Sequence, residues 1–143
     1  MVQGGLERKI YMKIRNGFVT NSSSSSFILG FKSKDSVTQE LLDDPEAEGH
    51  VEELLRECLN APSMNRKNIL DVVKYEECDK LEWEYYLDGV PKENYKEKLD
   101  EPLKKFESDA AGKEYFVYLD CEGILEYNVV PYLNCCIRGY SHH

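Results

Sequence analysis

Five consecutive serines, Ser22, Ser23, Ser24, Ser25 and Ser26, follow Asn21 closely behind two basic residues, Lys13 and Arg15. Hydroxyls and backbone amides with cations beside them are the donor set of an anion pocket, one that could take a phosphate or a nucleotide. The chain lacks the Gly-x-x-x-x-Gly-Lys-Ser/Thr pattern of a phosphate loop, so this reading rests on composition. The same residue types also close tight turns by bonding to their own backbone, which is their commoner use. Serine runs are often flexible linkers. Here the run is held between Phe18-Val19 and Phe27-Ile28-Leu29, both of which favour burial, so it reads as an ordered loop or strand edge inside a domain.

Other reactive side chains form no recognisable centre. Cys58, Cys78, Cys121, Cys135 and Cys136 are an odd set with no paired framework, as expected of reduced thiols. Cys135 and Cys136 with His142 and His143 have the ligand chemistry of zinc, but adjacent ligands fit a tetrahedron poorly and the terminal histidines could belong to a tag. His50 is the only internal histidine, in an acidic setting that favours an exposed position. No nucleophile stands in a pattern with a base, and no acid pair is singled out among many. Neither catalysis nor a cofactor is expected from these residues.

Acidity is the strongest bulk property. The 143 residues carry a net charge of -9, unevenly spread: residues 1–34 hold six Lys/Arg against one acid, 35–110 hold ten against twenty-two, and 111–143 hold two against four. Such a middle repels nucleic acid, whose binding requires neutralisation of phosphates. It could attract a basic protein patch or serve only as a solubilising surface. Glu76, Glu77, Glu82, Glu84 and Asp88, with Trp83 and Tyr85 among them, combine acids with the aromatic residues that anchor interfaces. Helical spacing offers the opposing reading, in which Trp83, Tyr86 and Leu87 face a core.

The elements that must position these residues follow from periodicity. Residues 10–15 alternate as a short strand, Asn16-Gly17 is a turn signal, and residues 27–31 form a compact apolar run suited to a buried strand. Residues 36–44 begin with a serine cap and read as a helix with Val37, Leu41 and Leu42 on one face. Residues 48–59 form a second helix, with Val51, Leu54, Leu55 and Cys58 inward and Asn60-Ala61-Pro62 ending it. Residues 68–75 fit a strand or a short helix, and their β-branched residues favour the strand. Tyr95, Leu99, Leu103 and Phe106 have helical spacing, with Pro102 set to break the helix. Residues 115–121 are the clearest strand. Residues 124–133 read as a short helix halted by Pro131 or as irregular chain, and residues 135–140 as a last strand. The sum is an α+β fold, with mixed α/β as the alternative: one sheet of about four or five strands with helices packed on it. No apolar stretch is long enough to span a membrane, and residues 1–11 lack the apolar core of a secretory signal.

The run from Lys13 through Gly17-Phe18-Val19-Thr20-Asn21 and the serines to Phe27 resembles the opening motif of a group of small, mostly uncharacterised proteins of bacteriophages and prophages. In that group the motif sits just after the initiator methionine, which corresponds here to Met12. The resemblance implies that residues 1–11 are a leader, an upstream start or a non-native extension, and that residues 12–143 form one domain. It also implies a viral origin and action in the cytoplasm of an infected bacterium, while naming no reaction. The first expectation is a non-enzymatic protein that binds a host or phage protein through its acidic face. The alternatives are a nucleotide- or phosphate-binding module, or an enzyme, built on Lys13, Arg15, Asn21 and the serines, and a component of the virion or its assembly.

Overall fold

The computed structural model describes the backbone of residues 25–88 and 95–141, and side chains within 25–81 and 97–141. The expected strand over residues 10–15, the turn after it, Lys13, Arg15, Asn21 and Ser22 to Ser24, His142 and His143 all lie outside the described residues.

The fold is α+β. The described residues form a four-stranded antiparallel sheet in the order β2-β3-β1-β4, built from β1 (Ser25–Phe31), β2 (Ser63–Met64), β3 (Tyr115–Cys121) and β4 (Cys136–Ser141). The first strand lies between β3 and β4 and is buried along its whole length. Side chains alternate across a strand, so β1 and β3 feed two separate cores. Phe27, Leu29, Phe31, Val117, Leu119 and Cys121 meet helices α1 (Val37–Leu42) and α2 (Val51–Asn60) on one face. Ile28, Phe116 and Tyr118 meet α3 (Arg66–Asp88) and α4 (Tyr95–Asp109) on the other.

A bulge adjusts the β1–β4 register. Ile28 pairs with Arg138 but Leu29 pairs with Cys136, which leaves Ile137 as the extra residue. Ile137 packs in the second core, directly over Gly30, where an added Cβ would come within 2.5 Å of its Cδ1 atom. Glycine at this position therefore admits the bulged side chain. Arg66 fastens the other end of the second layer: its Nη2 donates to the carbonyls of Ala110 at 2.7 Å and Lys113 at 2.6 Å, just past the end of α4. A cation there ties down the turn that follows the helix and opposes the negative end of its dipole.

Three expectations are corrected. Residues 68–75 are helical, part of the 23-residue α3, because Ile69 and Val73 lie one turn apart and both are fully buried against the sheet. Tertiary burial outweighs the β-branched preference there. The helix over residues 95–109 runs through Pro102 without ending. Phe106, fully buried, and Leu103 on the same helix pack in the second core, and this burial offsets the lost backbone hydrogen bond. In α1, Val37 and Leu41 are buried but Leu42 is exposed, since only residues four apart share the inward side of so short a helix. The segment after β3 that read as short helix or irregular is a π-helical turn (Leu125–Val129) running into a 3-10 turn (Val130–Tyr132) that contains Pro131.

Pro102→Ala should restore an amide donor inside α4. The helix-interior gain of about 3 kcal/mol, less about 1 kcal/mol for the looser unfolded chain, predicts stabilisation of about 2 kcal/mol in urea titration. A loss of stability would mean that α4 depends on the proline for its packing.

Candidate functional site

Ser25 and Ser26, the two described members of the serine run, are the first residues of β1 and are almost fully buried. Successive strand residues face opposite ways, so their hydroxyls enter different layers. Ser25 Oγ donates to Glu126 Oε2 at 2.5 Å, on the side of the π-helical turn. Ser26 Oγ donates to Asp120, two residues beyond Tyr118 on β3. Both hydroxyls thus serve carboxylates. A phosphate brought to this end of the strand would meet Glu126 and Asp120, so for Ser25 and Ser26 the anion-cradle reading gives way to internal hydrogen bonding.

On the α3 side two more carboxylates are drawn inside. Glu76 and Glu77 are 3% and 7% exposed. Glu76 accepts from the hydroxyl of Tyr118 on β3, and Glu77 accepts from the hydroxyl of Tyr140 on β4 at 2.9 Å. Burial, and then the neighbouring Glu76, push the Tyr118 hydroxyl far above its ordinary range. Burial and Glu77 do the same for Tyr140. These phenols remain protonated donors. Of the partner-contact candidates, Glu76 and Glu77 are thus buried in the fold, each holding a tyrosine hydroxyl. Glu82, Trp83, Glu84, Tyr85 and Asp88 belong to the α3 backbone, and their side chains lie outside the described residues.

All five cysteines are free. Burial, helped by Glu57, pushes the Cys58 thiol up to about 11, and burial with Glu126 pushes Cys121 up to about 12. Cys136 is raised to about 11 by burial, and Cys135 is raised further by burial and the nearby Cys58. The thiolate is the nucleophile and metal ligand, so raised thiols are poor at both roles near neutral pH. Among the described residues no group of three or more His, Cys, Asp or Glu side chains could hold a metal ion. His50 sits before α2 with its Nδ1 3.7 Å from Glu53.

The serine end of β1 also borders an open groove of about 280 Å³, lined among others by Ser25, Phe27, Glu126, Tyr127, Gly139 and Tyr140. Glu126 is 3% exposed, and its Oε1 has no hydrogen-bond partner among the described residues. Glu126 carries no local signal in the sequence, being one acid among twenty-seven. Its position next to Leu125, on the side of the turn that Val129 also buries, was the cue it offered.

No family model matches this chain, and no curated protein or solved structure matches it. No helix among the described residues is long and apolar enough to cross a membrane.

Two predictions follow from these buried groups. The thiols and phenols are held protonated in the fold and ionise more readily once unfolded, so their stabilisation is complete below the unfolded pKa and is lost as pH rises towards the folded one. With Cys58 and Cys136 moving from 9.0 to about 11, thermal melting should be level to about pH 8 and fall between pH 9 and 11. A level profile through pH 11 would show that burial does not hold these groups neutral. Separately, Glu76→Lys should cost about 3–5 kcal/mol by placing an unpaired cation against Tyr118, whereas Asp71→Lys on the exposed side of α3 should change stability by less than about 0.5 kcal/mol. Equal effects would remove the distinction between buried and exposed acids on that helix.

Proposed function

We propose that the protein is a non-enzymatic, phage-encoded binding protein that engages a basic surface of a host protein inside the infected bacterium. The observation that carries this reading is the stretch leading into α2. Between residues 43 and 53, Asp43, Glu46, Glu48, Glu52 and Glu53 are exposed and no Lys or Arg interrupts them. The one buried acid of the stretch, Asp44, is engaged: its carboxylate accepts from the amides of Glu46 at 3.0 Å and Asn134 at 2.7 Å, fixing the segment to the chain before β4. The exposed acids are thus displayed from an anchored support.

The adjoining helices add exposed apolar surface, with Leu42 at 59% and Leu59 at 81% exposure. Acids of one sign around scattered apolar side chains suit a partner whose patch is basic with apolar contacts of its own, the charges steering encounter and the apolar groups slowing release. The resemblance of residues 13–27 to phage and prophage proteins supplies the host setting.

The test is a pull-down from bacterial lysate with the wild-type chain and a Glu46→Lys, Glu48→Lys, Glu52→Lys, Glu53→Lys variant of unchanged fold by circular dichroism. A saturable partner should be retained by the wild type, released progressively by salt, and bound by the variant about tenfold more weakly or less. Equal retention by both proteins would rule out this face as the contact.

A further inference from the structure

We propose that the groove beside Glu126 receives the side chain of an arginine supplied by a protein partner. The inference deepens the binding reading above by naming a second, specific point of contact.

Glu126 carries the argument. Its carboxyl group is nine-tenths buried, and only one of its oxygens is satisfied, by Ser25 Oγ at 2.5 Å. The other, Oε1, has no partner among the described residues although Glu126 borders an open space. Buried polar atoms left without a hydrogen bond are rare; Oε1 is itself enclosed, so a donor entering the groove that Glu126 lines satisfies it as the carboxyl group turns outward. An anion is excluded by the carboxyl group itself. A neutral apolar group would fill the space and leave Oε1 orphaned.

The walls select among donors. Phe27 and Tyr127 contribute aromatic surface around the acid, and Pro131 adds a further apolar wall, while the Tyr140 ring faces Glu77 on the other side of the sheet. Gly139 lies opposite Phe27, where a Cβ would stand only 2.9 Å from the ring, so glycine keeps this side of the groove low. A guanidinium group is planar, weakly hydrated and always charged. It stacks on aromatic faces while directing N–H groups at a carboxylate. An ammonium group is a strongly hydrated point charge and gives up more on entering such a site. A volume of about 280 Å³ accommodates one long side chain and little more.

The experiment is an amide-resolved NMR titration of the whole chain with Nα-acetyl-arginine amide, alongside its uncharged citrulline analogue and the lysine analogue. Saturable shifts at Tyr127, Gly139 and Ser141 are expected with the arginine probe at millimolar concentrations, weaker shifts with lysine and none with citrulline. Glu126→Gln should weaken binding about tenfold or more, since a charge-assisted bond becomes a neutral one. Tyr127→Ala, at a ring 55% exposed, should weaken it severalfold and serves if Glu126→Gln fails to fold.

Equal shifts with citrulline, or none with any probe, would overturn the proposal. So would binding that emerges only after Lys13→Gln and Arg15→Gln, because the groove would then belong to the chain's own basic segment. If the probes fail while the lysate partner is still captured through the acidic stretch, the groove assignment falls and the binding function stands. If the partner is captured by the wild type but lost with Glu126→Gln, while the probe binds the wild type alone, both hold.

Discussion

Everything in this fold depends on β1 being a central strand covered on both faces. Flanked by β3 and β4, and packed against α1 and α2 on one side and α3 and α4 on the other, it is buried at every residue of Ser25–Phe31, with only Ser25 and Phe27 reaching the rim of the groove. Such a strand is usually a continuous apolar run. Residues 27 to 31 meet that demand with Phe, Ile, Leu and Phe around a single glycine. Ser25 and Ser26 do not, so their hydroxyls require partners within the protein. Glu126 and Asp120 are those partners, one per face. The serines of the strand and the acids around it are therefore one structural feature.

That constraint explains what was legible in the sequence. The strands at 27–31 and 115–121 were plain because a buried strand concentrates apolar residues in a short window, and α2 was plain because Leu54 and Cys58 repeat one turn apart. The helix at 66–88 was obscured because its inward side is shared between apolar residues and acids. Ile69 and Val73 are followed on the same side by Glu76 and Glu77, which read as surface by composition. The tyrosines that bury those acids lie 42 and 63 residues further along the chain. No local window could reveal those pairings. The two-residue β2 left no periodic trace, its pairing with Val117 and Phe116 being set by tertiary position alone.

The candidate site was legible only in part, for the same reason. The strand character of Ser25 and Ser26 was recognisable because the apolar residues 27–31 follow them directly. The nature of their partners was not, since hydroxyls serve phosphates and carboxylates equally well as donors. What decides between them is the charge of the facing groups, and those come from β3 and the turn after it, some hundred residues away. Glu126 was invisible among the other acids until burial separated it from them.

Acids in this chain thus fall into two populations with different consequences. Exposed ones, dense before α2, repel one another and contribute little to stability singly, but together they set a field that orients a basic partner. Buried ones act on geometry. Glu76 and Glu77 are consecutive on α3, about 100° apart around the helix, and reach Tyr118 and Tyr140 on the strands either side of β1. The pair straddles the central strand. A rotation of α3 that kept its apolar residues on the sheet would still leave at least one carboxylate and one phenol unpaired, at a cost of about 1–3 kcal/mol for each buried group. Apolar packing alone would tolerate several such rotations. The polar seam allows one, and it holds β1 at the height where Ser25 meets Glu126 and the groove beside it is formed.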